Sequence, residues 1–206
     1  MRPRLPILVR RKLVAASSTT WNPADKGAGV TLSNGNRTAT LTTATGDQGT
    51  RSTTSKTSGK FVYEVVWNQV GGYADTGAGI ALSTAAFTSL GANGTGGFIV
   101  FANSGGMFLN GANQGLSGWA ASATAMFAVD LTNGKVWFAS SNNPGKWNNT
   151  THDPATNTGG YSLSALSGAK FAAIVMSNGA TNQAFTANFG QSPFVNSVPA
   201  GFSAWG

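Results

Sequence analysis

The stretch Phe127-Ala-Val-Asp-Leu-Thr-Asn-Gly-Lys-Val-Trp-Phe138 decides the fold. Two short runs rich in β-branched and aromatic residues flank Asn133-Gly134. Asn-Gly accepts positive φ at both central positions, so the pair predicts a two-residue type I′ hairpin turn. That turn would oppose Thr132 to Lys135, Leu131 to Val136, and Val129 to Phe138. Side chains alternate faces along a strand. Phe127, Val129, Leu131, Val136 and Phe138 then share one apolar face, and Asp130 and Lys135 are left free to meet water.

The same reading extends outward. Val30-Thr-Leu32 and Thr38-Ala-Thr-Leu41 flank Ser33-Asn-Gly-Asn36, a second hairpin signal. In Phe61-Val-Tyr-Glu-Val-Val-Trp67 one face carries Phe61, Tyr63, Val65 and Trp67, the other Val62, Glu64 and Val66. This predicts a strand buried on much of both faces. Further strands are expected at 78–82, 97–101, 106–109, 170–176 and 184–189. Trp21 to Asp25 reads as an opening turn, 42–58 as a polar, turn-rich stretch, and 140–160 as a polar loop. Short strands, Gly-rich turns and no helical period argue an all-β antiparallel sandwich or barrel.

Composition limits the function. The chain has 206 residues and 41% hydrophobic residues, enough for a large core. Charged residues make up only 9%, against a usual share of about 25%. Ser, Thr, Asn and Gly must form the surface, as suits extracellular or particle-bound proteins. There is no cysteine, which excludes disulfides and Cys-based zinc sites. One histidine and six scattered acids argue against a metal centre, a Ser-His-Asp triad, or a carboxylate pair across a sugar bond. Gly94-Thr-Gly-Gly97 lacks the Lys-Ser/Thr of a phosphate loop and reads as a turn. No enzyme activity, cofactor or metal is expected, and no apolar run reaches the ~18 residues of a membrane span.

The net charge of +7 is concentrated at the N-terminus. Arg2, Arg4, Arg10, Arg11 and Lys12 are five of the thirteen basic residues, with no acid among them. They bracket Leu5-Pro-Ile-Leu-Val9, too short and too charged at its end for a signal peptide. Residues 1–20 form a basic arm and linker, and 21–206 form the domain. The apolar content of the arm (Leu5, Ile7, Leu8, Val9) favours docking on protein over nucleic acid.

In the order and spacing of its landmarks the chain resembles the SPRY domain family, in the version found in bacteriophage and bacterial proteins. The matching stretches are Thr20-Trp-Asn-Pro-Ala-Asp-Lys26, Ser58-Gly-Lys-Phe-Val-Tyr-Glu-Val65, Gly79-Ile-Ala-Leu82, Phe127-Ala-Val-Asp-Leu131, Ala187-Asn-Phe-Gly-Gln191 and Pro199-Ala-Gly-Phe202. The loop Trp147-Asn-Asn-Thr-Thr-His-Asp-Pro-Ala-Thr156 is similar to the phage version too. The resemblance covers about residues 20–205 and leaves the arm outside.

The resemblance implies a SPRY/concanavalin-like sandwich acting as a non-catalytic binding module. For the phage members it implies a structural protein of the virion. The expectation is a capsid or tail accessory or decoration protein, anchored by the arm to other virion proteins (capsid, portal/neck or tail) in a multi-copy or homo-oligomeric assembly. The alternative is a tail fibre or spike module that recognises a host surface carbohydrate. Trp119, Trp147, His152 and Asp153 are the candidate ligand-loop residues. Loop tryptophans stack on sugars or fill partner pockets, and they also cap core edges.

Overall fold

The computed structural model describes residues 18–43, 45–68, 76–91, 95–102, 104–116, 119–120, 122–177, 179 and 181–206. The arm residues Arg2 to Lys12 lie outside them. Among the described residues fifteen strands run in chain order: β1 Trp21–Lys26, β2 Val30–Ser33, β3 Thr38–Leu41, β4 Gln48–Lys56, β5 Lys60–Trp67, β6 Gly77–Ala81, β7 Gly97–Phe101, β8 Gly106–Leu109, β9 Ala112–Leu116, β10 Thr124–Asp130, β11 Lys135–Ser140, β12 Tyr161–Ser162, β13 Lys170–Met176, β14 Ala184–Asn188 and β15 Ser203–Ala204. One 3-10 turn, Phe87–Ser89, is the helical element among the described residues.

The strands form two sheets. One has seven strands in the order β1-β4-β13-β6-β7-β8-β9, and the other runs β12-β11-β10-β5-β14-β3-β2, with β15 added to β5. All pairings are antiparallel except the short parallel contact of β15 with β5. The fold is the expected antiparallel β-sandwich. Between the sheets lies an aromatic core in which Tyr63 stacks on Phe127 at 5.2 Å and Trp21 meets Phe189 edge-on at 5.1 Å.

The central hairpin forms, but in a different register. Asp130 opposes Lys135, Val129 opposes Val136, and Phe127 opposes Phe138. The loop therefore has four residues, 131–134, not two. Its cause is the Asp130 carboxylate, which accepts the backbone N–H of Thr132 (3.0 Å) and Asn133 (2.9 Å) and the Asn133 amide (2.7 Å). These bonds turn the chain immediately after Asp130. Gly134 alone of the pair takes positive φ, at 63°. A slip of two residues keeps every side chain on its expected face, so Val129 and Phe138 are buried as diagonal neighbours. Asp130 is buried rather than wet.

Two stretches expected as turns are strands. Trp21–Lys26 is an edge strand whose register shifts against β4, and edges and bulges are where Pro23 is tolerated. Within 42–58 lies β4, nine residues with no apolar alternation. Its buried positions are polar and paired internally. The Thr50 hydroxyl donates to Asp25 O (3.1 Å), the Ser52 hydroxyl donates to Thr54 O (2.8 Å), and Arg51 binds Asp25 (2.8 Å) and Leu82 O (2.9 Å).

Candidate functional site

The outer face of the β12-β11-β10-β5-β14 sheet carries the surface relief nearest the candidate residues. Residues alternate across β5 and β10, so Val62, Met126 and Ala128 point outward, and with Trp137 of β11 they form a small apolar cluster. Phe194, Phe202 and Trp147 pack against it. A strap of residues 192–198 crosses this face.

Glu64 holds the strap. Facing outward from β5 yet only 2% exposed, its carboxylate accepts the N–H of Val195 (3.0 Å), the N–H of Asn196 (2.7 Å) and the Asn196 amide (2.8 Å). A buried carboxylate requires such donors. Asn188 grips the strap's beginning, donating to Ser192 O (3.1 Å) and accepting the Ser192 N–H (3.2 Å). Between these anchors Val195 projects outward, 68% exposed, and Val198 is 41% exposed. They are the exposed large hydrophobic side chains among the described residues.

A depression lies on each side of Val195. One, of about 250 Å³, is lined by Ser140, Ser141, Lys146, Trp147, Val195 and Asn196. The other, of about 230 Å³, is lined by Arg37, Glu64, Thr124, Thr186, Asn188 and Val195. Hydroxyls, amides and one ridge of apolar surface are suited to binding through hydrogen bonds and shape.

The four candidate loop residues do not converge. Trp119, expected in a ligand loop, is instead 3% exposed. It is buried in the core beside Phe138 (5.7 Å) and Phe185 (6.2 Å), and its indole N–H donates to Ala123 O (3.0 Å). Trp147 is half-buried and walls the first depression. His152 Nδ1 faces the Asn148 amide at 3.3 Å, not Asp153. The Asp153 carboxylate closes its own turn, accepting the Ala155 N–H (2.9 Å) and the Thr156 hydroxyl (3.0 Å). Asn148 stitches this loop to β11 by accepting the Phe138 N–H (2.8 Å).

Val195 and Asn196 escaped the sequence reading, because a strap with no period announces nothing. The available signal was Glu64, a carboxylate within an otherwise apolar strand, which had to find donors from another segment. The remaining polar chemistry supports the fold. Asp25 pairs with Arg51 (2.8 Å), whose guanidinium also lies over Phe87 at 4.4 Å. Burial pushes the Tyr63 phenol well up, and its hydroxyl donates to Gly79 O across the core. Among the described residues no three His, Asp or Glu side chains gather to hold a metal ion, and no helix is long and apolar enough to cross a membrane.

No family model matches the chain, and no curated protein matches it. Solved structures do. The SPRY domain of human HERC1 superposes with a TM-score of 0.65 at 13% identity, covering 81% of this chain and 96% of that one. The TRIM65 PSpry domain gives a TM-score of 0.57 at 15% identity, covering 82% and 91%. Stonustoxin gives 0.57 at 16% identity, covering 82% of this chain and 27% of the toxin chain. The chain has a SPRY-like fold. A shared fold does not transfer a ligand.

Proposed function

We propose that this protein is a non-enzymatic structural component of a phage virion, a capsid or tail accessory or decoration protein. The basic arm anchors it to other virion proteins, and the SPRY-like sandwich presents a binding surface. One observation carries the binding role: the carboxylates of Asp25, Glu64, Asp130 and Asp153 are bound within the fold, while the exposed Val195 lines two depressions and Trp147 lines one of them. A surface of this kind supports association rather than proton transfer, which needs a positioned base and a substrate cleft. The virion setting rests on the resemblance of the loop 147–156 to the phage version, the low share of charged residues and the basic arm.

The test is co-sedimentation. Gradient-purified particles from a producing culture should contain the chain at a fixed ratio to the major capsid or tail protein. Deleting residues 2–12 should abolish incorporation and leave the melting temperature of the purified protein nearly unchanged. Recovery of the intact chain only in the soluble fraction overturns the reading.

The depression beside Trp147 favours a second reading, a module for host surface carbohydrate. An aromatic side chain next to hydroxyls and an amide suits a sugar's apolar face and its hydroxyl groups. Binding to isolated host polysaccharide that is lost in Trp147→Ala would favour it over a purely structural role.

A further inference from the structure

We infer that the two depressions beside Val195 act as one site, which binds a carboxylate-bearing polysaccharide across the outer face of the sheet between Arg37 and Lys146. This rests on the carbohydrate reading of the depression beside Trp147, and it names the class of sugar.

Strand register builds the floor of the site. Thr38 opposes Thr186, Thr186 opposes Val66, and Val66 opposes Thr124. Just beyond β11, the Ser141 N–H donates to Thr124 O (2.8 Å) and the Ser141 hydroxyl accepts the Thr124 N–H (2.9 Å). The chain neighbours of this row, Ala39, Ala187, Val65 and Ala125, belong to the core, so the row itself faces outward. Neighbouring strands lie about 4.8 Å apart, so a row crossing β3, β14, β5, β10 and the end of β11 spans about 19 Å, longer than one sugar ring. Arg37, Val66, Thr124 and Thr186 line one depression, and Ser141, Lys146 and Trp147 line the other.

Four of the five residues in the row carry hydroxyls. Thr124 is only 9% exposed, and its hydroxyl has no hydrogen-bond partner among the described residues. A cation stands at each end. Arg37 is held in place by its own turn, its Nε donating to Asn34 O (3.2 Å) and its Nη2 to Asn34 Oδ1 (2.8 Å). Lys146 is exposed. Neither makes an ion pair among the described residues. Glu64 is the one acid lining either depression, and its carboxylate is committed to the N–H groups and amide of the strap. The site thus offers hydroxyls and two unpaired cations, and a complementary ligand brings its own carboxylates.

A sugar chain fits this site better than an acidic peptide. An extended peptide gains its affinity by joining a sheet edge, and β3, β14, β5, β10 and β11 each already have a strand on both sides. What remains for a ligand is side-chain chemistry: hydroxyls, two cations and the half-buried indole of Trp147 beside Lys146. Sugar hydroxyls match the row, an apolar sugar face matches the indole, and uronate carboxylates match Arg37 and Lys146.

The test is calorimetric titration of the purified full chain, at about 0.15 M ionic strength, with short oligomers of galacturonate, glucuronate and mannuronate, their methyl esters, and a glutamate peptide of equal charge. At least one uronate oligomer should bind about fivefold more tightly than its neutral ester, and more tightly than the peptide. Arg37→Gln/Lys146→Gln should remove that advantage. Lys146→Gln alone, at an exposed side chain with no ion pair, should remove part of it with an unchanged melting temperature, and Lys146→Arg should retain it. Equal binding by the Gln variants overturns the site, since the anion is then held elsewhere, and tighter binding of the peptide overturns the sugar. Equal binding of acid and ester, lost in Trp147→Ala, overturns the acidic ligand and leaves the carbohydrate reading standing. Failure of every sugar to bind overturns both.

Discussion

Lys60 Nζ lies 2.9 Å from Asp130 Oδ2, and the Asp130 carboxylate it covers is fully buried while the lysine remains 28% exposed. The same carboxylate receives the donors that turn the chain at residues 131–134. One ion pair thus joins the first residue of β5 to the turn of the central hairpin.

Burial pushes the Asp130 carboxyl up, but the bonds from Asn133 and Lys60 outweigh it and hold the pKa below the ordinary carboxylate value. A depressed folded pKa contributes stability that is fully present above the unfolded value, about 3.9, and is lost as pH falls through the folded pKa. Asp130→Asn should cost about 1–3 kcal/mol at neutral pH, because water screens the half-open pair. Urea titrations across pH should show this difference shrinking below about pH 4. A difference independent of pH would contradict it.

Phe138 packs edge-on to Phe127 at 5.4 Å and is 1% exposed. Phe138→Ala should destabilise the domain by about 3–5 kcal/mol in chemical denaturation. Gly134 stands at φ 63° with open space around its Cα, so Gly134→Ala should cost only about 1 kcal/mol, through backbone strain without a clash.

Removing the strap's anchor should loosen the strap more than the sheet. Glu64→Ala deletes three accepted hydrogen bonds at Val195 and Asn196. Amide exchange at those two residues should speed up at least tenfold, while Val62 and Met126 in the sheet stay protected. A global loss of protection would show that the strap is integral to the folding unit.

The two loop tryptophans should separate by assay. Trp119→Ala empties a core position and should cost about 3–5 kcal/mol. Trp147 is half-buried against Trp137 and its neighbours, so Trp147→Ala should cost less and be read mainly as weakened association of the outer face. The comparison needs only melting curves and a binding assay on the same two variants.

Local pattern determined the strands whose side chains alternate and the faces that they bury. β5, β10, β11 and β13 lie where their apolar periods place them, because burial of one face is encoded residue by residue. The sandwich and the basic character of residues 1–12 follow from the same kind of reading. Long-range pairing decided the rest. β4 buries Thr50, Arg51 and Ser52, whose partners Asp25, Leu82 and Ala172 lie up to 120 residues away, so no local window shows it as a strand. The hairpin register was set by three bonds to one carboxylate and not by the turn dipeptide. The site depended most on tertiary structure. The strap exists as a surface only because Glu64, more than 130 residues earlier, accepts its amides.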